Sequence, residues 1–224
     1  MNQRLAEQHA RRLRMPVELV VREFYEMHLL HGLFESRPGS VLIFKGGTAL
    51  RLAYGSPRFS DDVDFSALSP IPAETFTQVA QALAQGSPRL TLVEALAKRF
   101  TLFALYKVME PYLSQPFSIK VEISTRSEAW ELGLDVELRL LSSEFTNLTV
   151  LAQVAALERM QRDKMKALKA RKQPRDLYDL WFIAQRLRQP FVADLHLFDR
   201  KAIKRELRKY LPPTHWQMIE QWTD

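Results

Sequence analysis

After Pro16, apolar residues recur at helical spacing through VELVVREFYEMHLLHGLF. Val17, Val20, Val21, Phe24, Met27 and Leu30 fall on one side, which predicts an amphipathic helix. VLIF at 41–44 is a short continuous apolar run of the kind a buried strand shows. It leads directly into Gly46-Gly47, after which Thr48 to Tyr54 predicts helix. GSPR at 55–58 reads as a turn, and DVDF at 62–65 alternates polar and apolar like a half-buried strand. A further helix fits Ala73 to Gln85. The period then becomes two in RLTLVEA, RFTLFALYKVM, FSIKVEIS and, more weakly, LDVELRLL, which predicts an antiparallel or mixed sheet. From about Gln153 helical spacing returns, over Gln153 to Lys172, Pro174 to Leu187, Asp199 to Tyr210 and Pro213 to Trp222. Pro174 both ends one helix and suits the first turn of the next. The pattern therefore predicts an α+β chain, with a mixed α+β part over 1–150 and a helical part over 151–224.

Composition narrows the classes. At 224 residues and 46% hydrophobic, the chain can bury a sizeable core. Its longest apolar runs fall far short of the roughly 20 residues that span a bilayer, so no membrane segment is expected. The first sixteen residues carry charge throughout and contain no apolar signal core, so the expected location is the cytoplasm. Without cysteine there is no disulfide, thiolate metal site or cysteine nucleophile. A net charge of +6 favours a polyanionic partner, and its distribution is uneven. Residues 158–175 hold eight Lys or Arg against two acids, and 200–209 hold six against one. Such runs fit nucleic acid or phosphate binding, and equally the solvated faces of helices.

Three features suggest chemistry. Asp62 and Asp64 flank Val63 in a strand, so both carboxylates leave the same face, a geometry of hard oxygen ligands suited to Mg²⁺. Surface acids show the same spacing. Upstream, a strand, a Gly-Gly turn and a helix would point free N–H groups and the positive helix end at one spot, which suits a phosphate. The Gly-Lys-Ser/Thr of a Walker A loop is absent, and a tight turn needing positive φ would also select glycine. In SIKVEIS, Lys120 and Glu122 share the face opposite Val121 and Ile123. Glu122 could join the aspartates if the two strands are neighbours; otherwise it is an ordinary solvated acid.

Two blocks together, KGGTALRLAYGSPRFSDDVDF at 45–65 and LERMQRDKMKALKARKQPRDLYDLWFI at 157–183, resemble the AbiEii-type nucleotidyltransferase toxins of type IV toxin–antitoxin systems, which include the MenT group. The resemblance covers about 50 residues in the family's order. It implies a nucleotidyltransferase fold of the DNA polymerase β superfamily, a mixed sheet with a helical part completing the active site. By that likeness Gly46, Gly47 and Thr48 hold a triphosphate, Asp62 and Asp64 bind Mg²⁺, with Mn²⁺ able to replace it, and Arg58 is the basic residue before them. Lys164 is a triphosphate ligand, and Asp176 or Asp179, with Asp179 the first choice, is an essential acid. The family often has Asp where this chain has Glu122. The spacing agrees, since Lys164 and Arg171 are almost two turns apart on one helix face.

The likeness implies transfer of NMP from an NTP to an acceptor, with the 3′ end of tRNA first in line, and a cognate antitoxin protein as partner. Transfer to a protein side chain, or a non-enzymatic basic regulator that binds nucleic acid, are the rival expectations. Trp181, Trp216 and Trp222 could stack on bases or pack in the core.

Overall fold

A computed structural model describes residues 1–192 and 195–223. Its centre is a seven-stranded mixed sheet in the order β3-β4-β5-β2-β1-β7-β6. The strands are β1 (Leu42–Lys45), β2 (Asp62–Ala67), β3 (Leu90–Lys98), β4 (Thr101–Val108), β5 (Phe117–Ser124), β6 (Val136–Ser142) and β7 (Thr149–Ala155). β1 and β2 run antiparallel, while β5 joins β2 and β7 joins β1 in parallel.

Alternation divides each strand between two faces. On one, Leu102, Ile123, Phe65, Phe44 and Val154 lie in a row across five strands and are buried. Helices α1 (Gln3–Leu13), α2 (Val17–Glu35), α3 (Gly46–Tyr54) and α4 (Ala73–Gln85) belong to this half, and α2 contacts β7 and β5. The opposite face carries the row Phe103, Glu122, Asp64, Lys45 and, one step along, Leu105, Lys120, Asp62. The chain then continues into α5 (Leu157–Arg171), α6 (Pro174–Leu187), α7 (Arg200–Tyr210) and α8 (Gln217–Thr223), with α5 against α6, α6 against α7 and α7 against α8.

Three elements differ from the periodicity. The segment read as a helix from Gln153 is still strand until Ala155, and the helix starts at Leu157. Alanines at 152, 155 and 156 satisfy either period, and pairing of Val154 with Phe44 in the middle of the sheet decides it. β7 thus crosses residue 150 as an internal strand. Helix α2 is not amphipathic but buried nearly all round. It carries Arg22, Glu23 and Glu26 inside, where Arg22 donates to the carbonyls of Asp61 and Ser118, and Glu23 accepts from Arg51 and Ser143. The last predicted helix is divided into a 3₁₀ turn at Pro213–His215, which Pro213 opens at its first position, and a short α8 from Gln217.

Candidate active site

The acidic side of the site is a consequence of register. Asp64 stands directly between Lys45 on β1 and Glu122 on β5, and Asp62 stands opposite Lys120. Val63 and Phe65 anchor the strand in the core, so the two carboxylates leave it on the same opposite face. Burial first, then the charges of Asp62 and Glu122, push the Asp64 carboxyl up to about 6 despite nearby Lys164 and Lys45.

Beside it the backbone makes a sharp entry into α3. Gly46 has φ +85°, a left-handed conformation, and a Cβ there would sit 2.6 Å from Asp64 Oδ2. At Gly47 a Cβ would meet Arg58 Nη2 at 2.4 Å and Ser60 Oγ at 2.7 Å. The two glycines let the helix end press against the acid pair. The helix begins at Gly46, two residues before the Thr48 that the pattern proposed, and no side chain caps it. Its first N–H groups therefore have no side-chain acceptor, and Gly46 at the start of the helix lines the adjoining cleft.

The cationic side comes from α5 and α6. Asp176 and Asp179, one turn apart on α6, are both fully buried. Lys164 Nζ lies 3.0 Å from Asp176 Oδ1 and 2.6 Å from Asp179 Oδ2. Arg171 grips Asp176 with two hydrogen bonds of 2.7 and 2.9 Å, and Arg58 grips Asp179 with two of 2.8 Å. Burial alone would raise Asp179, but Arg58 and Lys164 outweigh it and hold the carboxyl below its ordinary value. For Asp176, burial is likewise outweighed by Arg171 and Lys164. The result is a chain of five charges, Arg171-Asp176-Lys164-Asp179-Arg58, with one net positive charge.

These two sides converge. An open cleft of about 300 Å³ is lined by Gly46, Asp64 and Glu122 on one wall and by Lys164 and Arg171 on the other. Not every residue singled out in the sequence reaches it. Thr48 is buried and its hydroxyl donates to the carbonyl of Asp62 at 2.5 Å, so it ties α3 to β2 and is not open to a phosphate. Arg58 is only 3% exposed, and with Asp179 and the carbonyl of Phe59 all three guanidinium nitrogens have acceptors. Its position favours bracing Asp179 beneath Gly47 over direct contact with a triphosphate. Among the described residues no three acidic or histidine side chains gather closely enough to hold an ion. Lys120 Nζ instead lies between Asp62 and Glu122, 3.2 and 3.9 Å from their oxygens. Trp181 and Trp222 pack edge to face, and Trp216 donates to the carbonyl of Leu211, so all three serve the C-terminal helices.

The family described as nucleotidyl transferase AbiEii toxin, type IV TA system, matches residues 28–219, most of the chain. The chain belongs to that family. This AbiEii nucleotidyltransferase resembles solved structures of the same fold. JHP933 from Helicobacter pylori is 21% identical, with 84% of this chain and 72% of that one covered at a TM-score of 0.57. MenT4, a nucleotidyltransferase toxin from Mycobacterium tuberculosis, is 23% identical, with 92% and 70% covered at a TM-score of 0.59. No curated protein matches the chain. Membership makes the protein an enzyme, and implies an NTP substrate and an antitoxin partner. No helix among the described residues is long and apolar enough to cross a membrane.

Two features of this AbiEii toxin escaped the sequence reading. Lys120 was visible on the right face, but its partners depend on the β2–β5 pairing. Tyr210, at the end of α7, donates its hydroxyl to Asp61, and its carbonyl accepts from the N–H of Phe59 at 2.9 Å. The C-terminal helices thereby strap the loop that precedes the acid pair, and nothing in the local pattern signals a contact across 149 residues.

The Asp64 shift makes a pH prediction for the toxin in the presence of a chelator. A carboxyl held above its unfolded value of 3.8 makes the folded state the better proton binder, so its contribution to stability falls as pH rises from about 4 through about 6. Asp64→Asn should equal the wild type near pH 4 and exceed it by about 3 kcal/mol well above pH 6, measured by urea unfolding. Parallel pH curves for the two chains would contradict the assigned shift.

Proposed function

We propose that this AbiEii toxin transfers a nucleoside monophosphate from an NTP to the 3′ end of an RNA acceptor, with tRNA as the acceptor. The observation that carries the reading is the meeting of Asp64 and Lys164 across one cleft, although a hundred residues separate them in sequence. In this reading the N–H at Gly46, with Lys164 and Arg171 across the cleft, holds the triphosphate, and the start of α3 behind it adds the positive helix end. Asp62 and Asp64 supply hard oxygen donors for a divalent ion such as Mg²⁺ or Mn²⁺, and Glu122 is a further carboxylate that would have to move toward them to join as a ligand. Asp64 and Glu122 are paired in register on β2 and β5, Asp62 lies two residues along the same face, and the Lys120 ammonium already rests between the Asp62 and Glu122 oxygens where a cation is favoured. Such an ion, when bound, neutralises phosphate charge and favours an in-line displacement.

The protein's own groups account for orientation and proton transfer. The acceptor hydroxyl oxygen bonds to the α-phosphorus, the bond from that phosphorus to the pyrophosphate oxygen breaks, and the hydroxyl proton passes to a carboxylate oxygen. Asp64 and Glu122, carboxylates that line the cleft, are the side chains in place to take it. Lys164 and Arg171 then face the charge that grows on pyrophosphate. Asp176 and Asp179 hold Lys164 in place and Arg58 holds Asp179, so these three are positioning residues.

Exposed Lys166 and Lys169 on α5, Lys172 directly after it, and Lys201 and Arg205 on α7 support an RNA acceptor by offering cations to its phosphates. The cytoplasm, where NTPs and tRNA occur together, is the matching location. Incubation of the purified chain with each labelled NTP, Mg²⁺ and total tRNA tests the reading. Label on tRNA is the expected result. Label on protein would redirect the proposal to a side-chain acceptor, and label on neither would overturn transfer to both.

A further inference from the structure

Two lysines face the acid pair, and their surroundings differ. Lys164 is fixed between two buried aspartates and is 12% exposed. Lys120 is 34% exposed, rises from a strand only two residues from Glu122, and rests on carboxylates that are themselves about a third exposed. Its ammonium takes the gap between Asp62 and Glu122, the oxygens proposed for the divalent ion. A flexible four-carbon stem at a half-exposed position can swing into water at small cost, because exposed ion pairs of this kind contribute only about 0–1 kcal/mol.

We infer that Lys120 is a tethered cation that keeps the place of the divalent ion between Asp62 and Glu122, and that ion binding displaces it into solvent. The inference rests on the ion reading given under Proposed function. Without a cation the aligned carboxylates of β2 and β5 repel one another across adjacent strands. Lys120 relieves that repulsion while the site is empty of metal, and in doing so competes with the metal. The toxin would then keep an ordered acid cluster when NTP and metal are scarce, and would bind the ion more weakly than three carboxylates alone.

The test is a titration of the intact chain with Mn²⁺, following free ion by electron paramagnetic resonance, together with lysine signals from reductive ¹³C-methylation in a parallel Mg²⁺ titration. Lys120→Met should bind Mn²⁺ about fivefold more tightly than the wild type, because the competing charge is gone. Lys120→Arg, which keeps charge and reach, should stay within about twofold of the wild type, consistent with competition by a side-chain cation. The ¹³C signal missing from the Lys120→Met spectrum should move in the wild type as Mg²⁺ saturates. Unchanged or weaker Mn²⁺ binding by Lys120→Met, or a Lys120 signal that stays fixed while Mg²⁺ binds, would overturn the inference and leave the ion site standing. Absence of Mn²⁺ binding in every chain would overturn the ion site itself, and the inference with it.

Discussion

Replacing Asp64 by Asn is expected to lower NMP transfer by about three orders of magnitude while leaving the chain folded. Asp64 is the one acid that combines three placements: it abuts Gly46 at the helix entry, sits in register with Glu122, and lines the cleft opposite Lys164. Asn preserves shape but removes the charge that would hold a cation and the oxygen that would accept a proton. Stability should not fall, since the lost carboxylate is the one whose charge is disfavoured by burial and by Asp62 and Glu122. Single-turnover labelling of RNA, alongside urea unfolding, checks both halves. Full activity in Asp64→Asn would remove the residue from the chemistry. A folded-state loss as large as the activity loss would assign it a structural role instead.

Asp179→Ala should be the most destabilising change among the polar residues of the site, by about 3–5 kcal/mol. The carboxylate is wholly buried and accepts from both Arg58 and Lys164. Its removal leaves the Arg58 guanidinium, itself 3% exposed, without a counter-ion. A double variant, Arg58→Met with Asp179→Leu, removes both charges together and should recover most of the stability, because the desolvation penalty disappears with them. Activity should remain low in the double variant, since Lys164 loses one of its two anchors. Equilibrium unfolding and labelling of the two variants separate these effects, and a double variant as unstable as Asp179→Ala would show that packing, not charge, holds this layer.

How much of this was legible depends on where each signal resides. The alternation of DVDF and SIKVEIS showed which residues share a face, because period two is a local property of the strand. The resemblance carried the pairing of the glycine-to-aspartate block with Lys164, and the cleft brings those elements together. The strand at Thr149–Ala155 was missed because alanine fits both periods and only the neighbour β1 decides. The apolar spacing predicts an amphipathic α2, and the burial of Arg22, Glu23 and Glu26 lies outside that pattern because their partners Arg51, Ser143 and the Ser118 carbonyl are far away in sequence. Arg58 was recognisable as a site residue, but its contact with Asp179 spans 121 positions, and so its bracing position could not be read from the motif.

A crystal structure of the toxin soaked with Mn²⁺ and a non-hydrolysable NTP analogue, with anomalous data collected at the manganese edge, tests the central claim most directly. The account predicts a peak within the acid cluster of Asp62, Asp64 and Glu122, with the triphosphate running from the N–H of Gly46 toward Lys164. Manganese bound elsewhere, or a triphosphate seated away from α5, would contradict it.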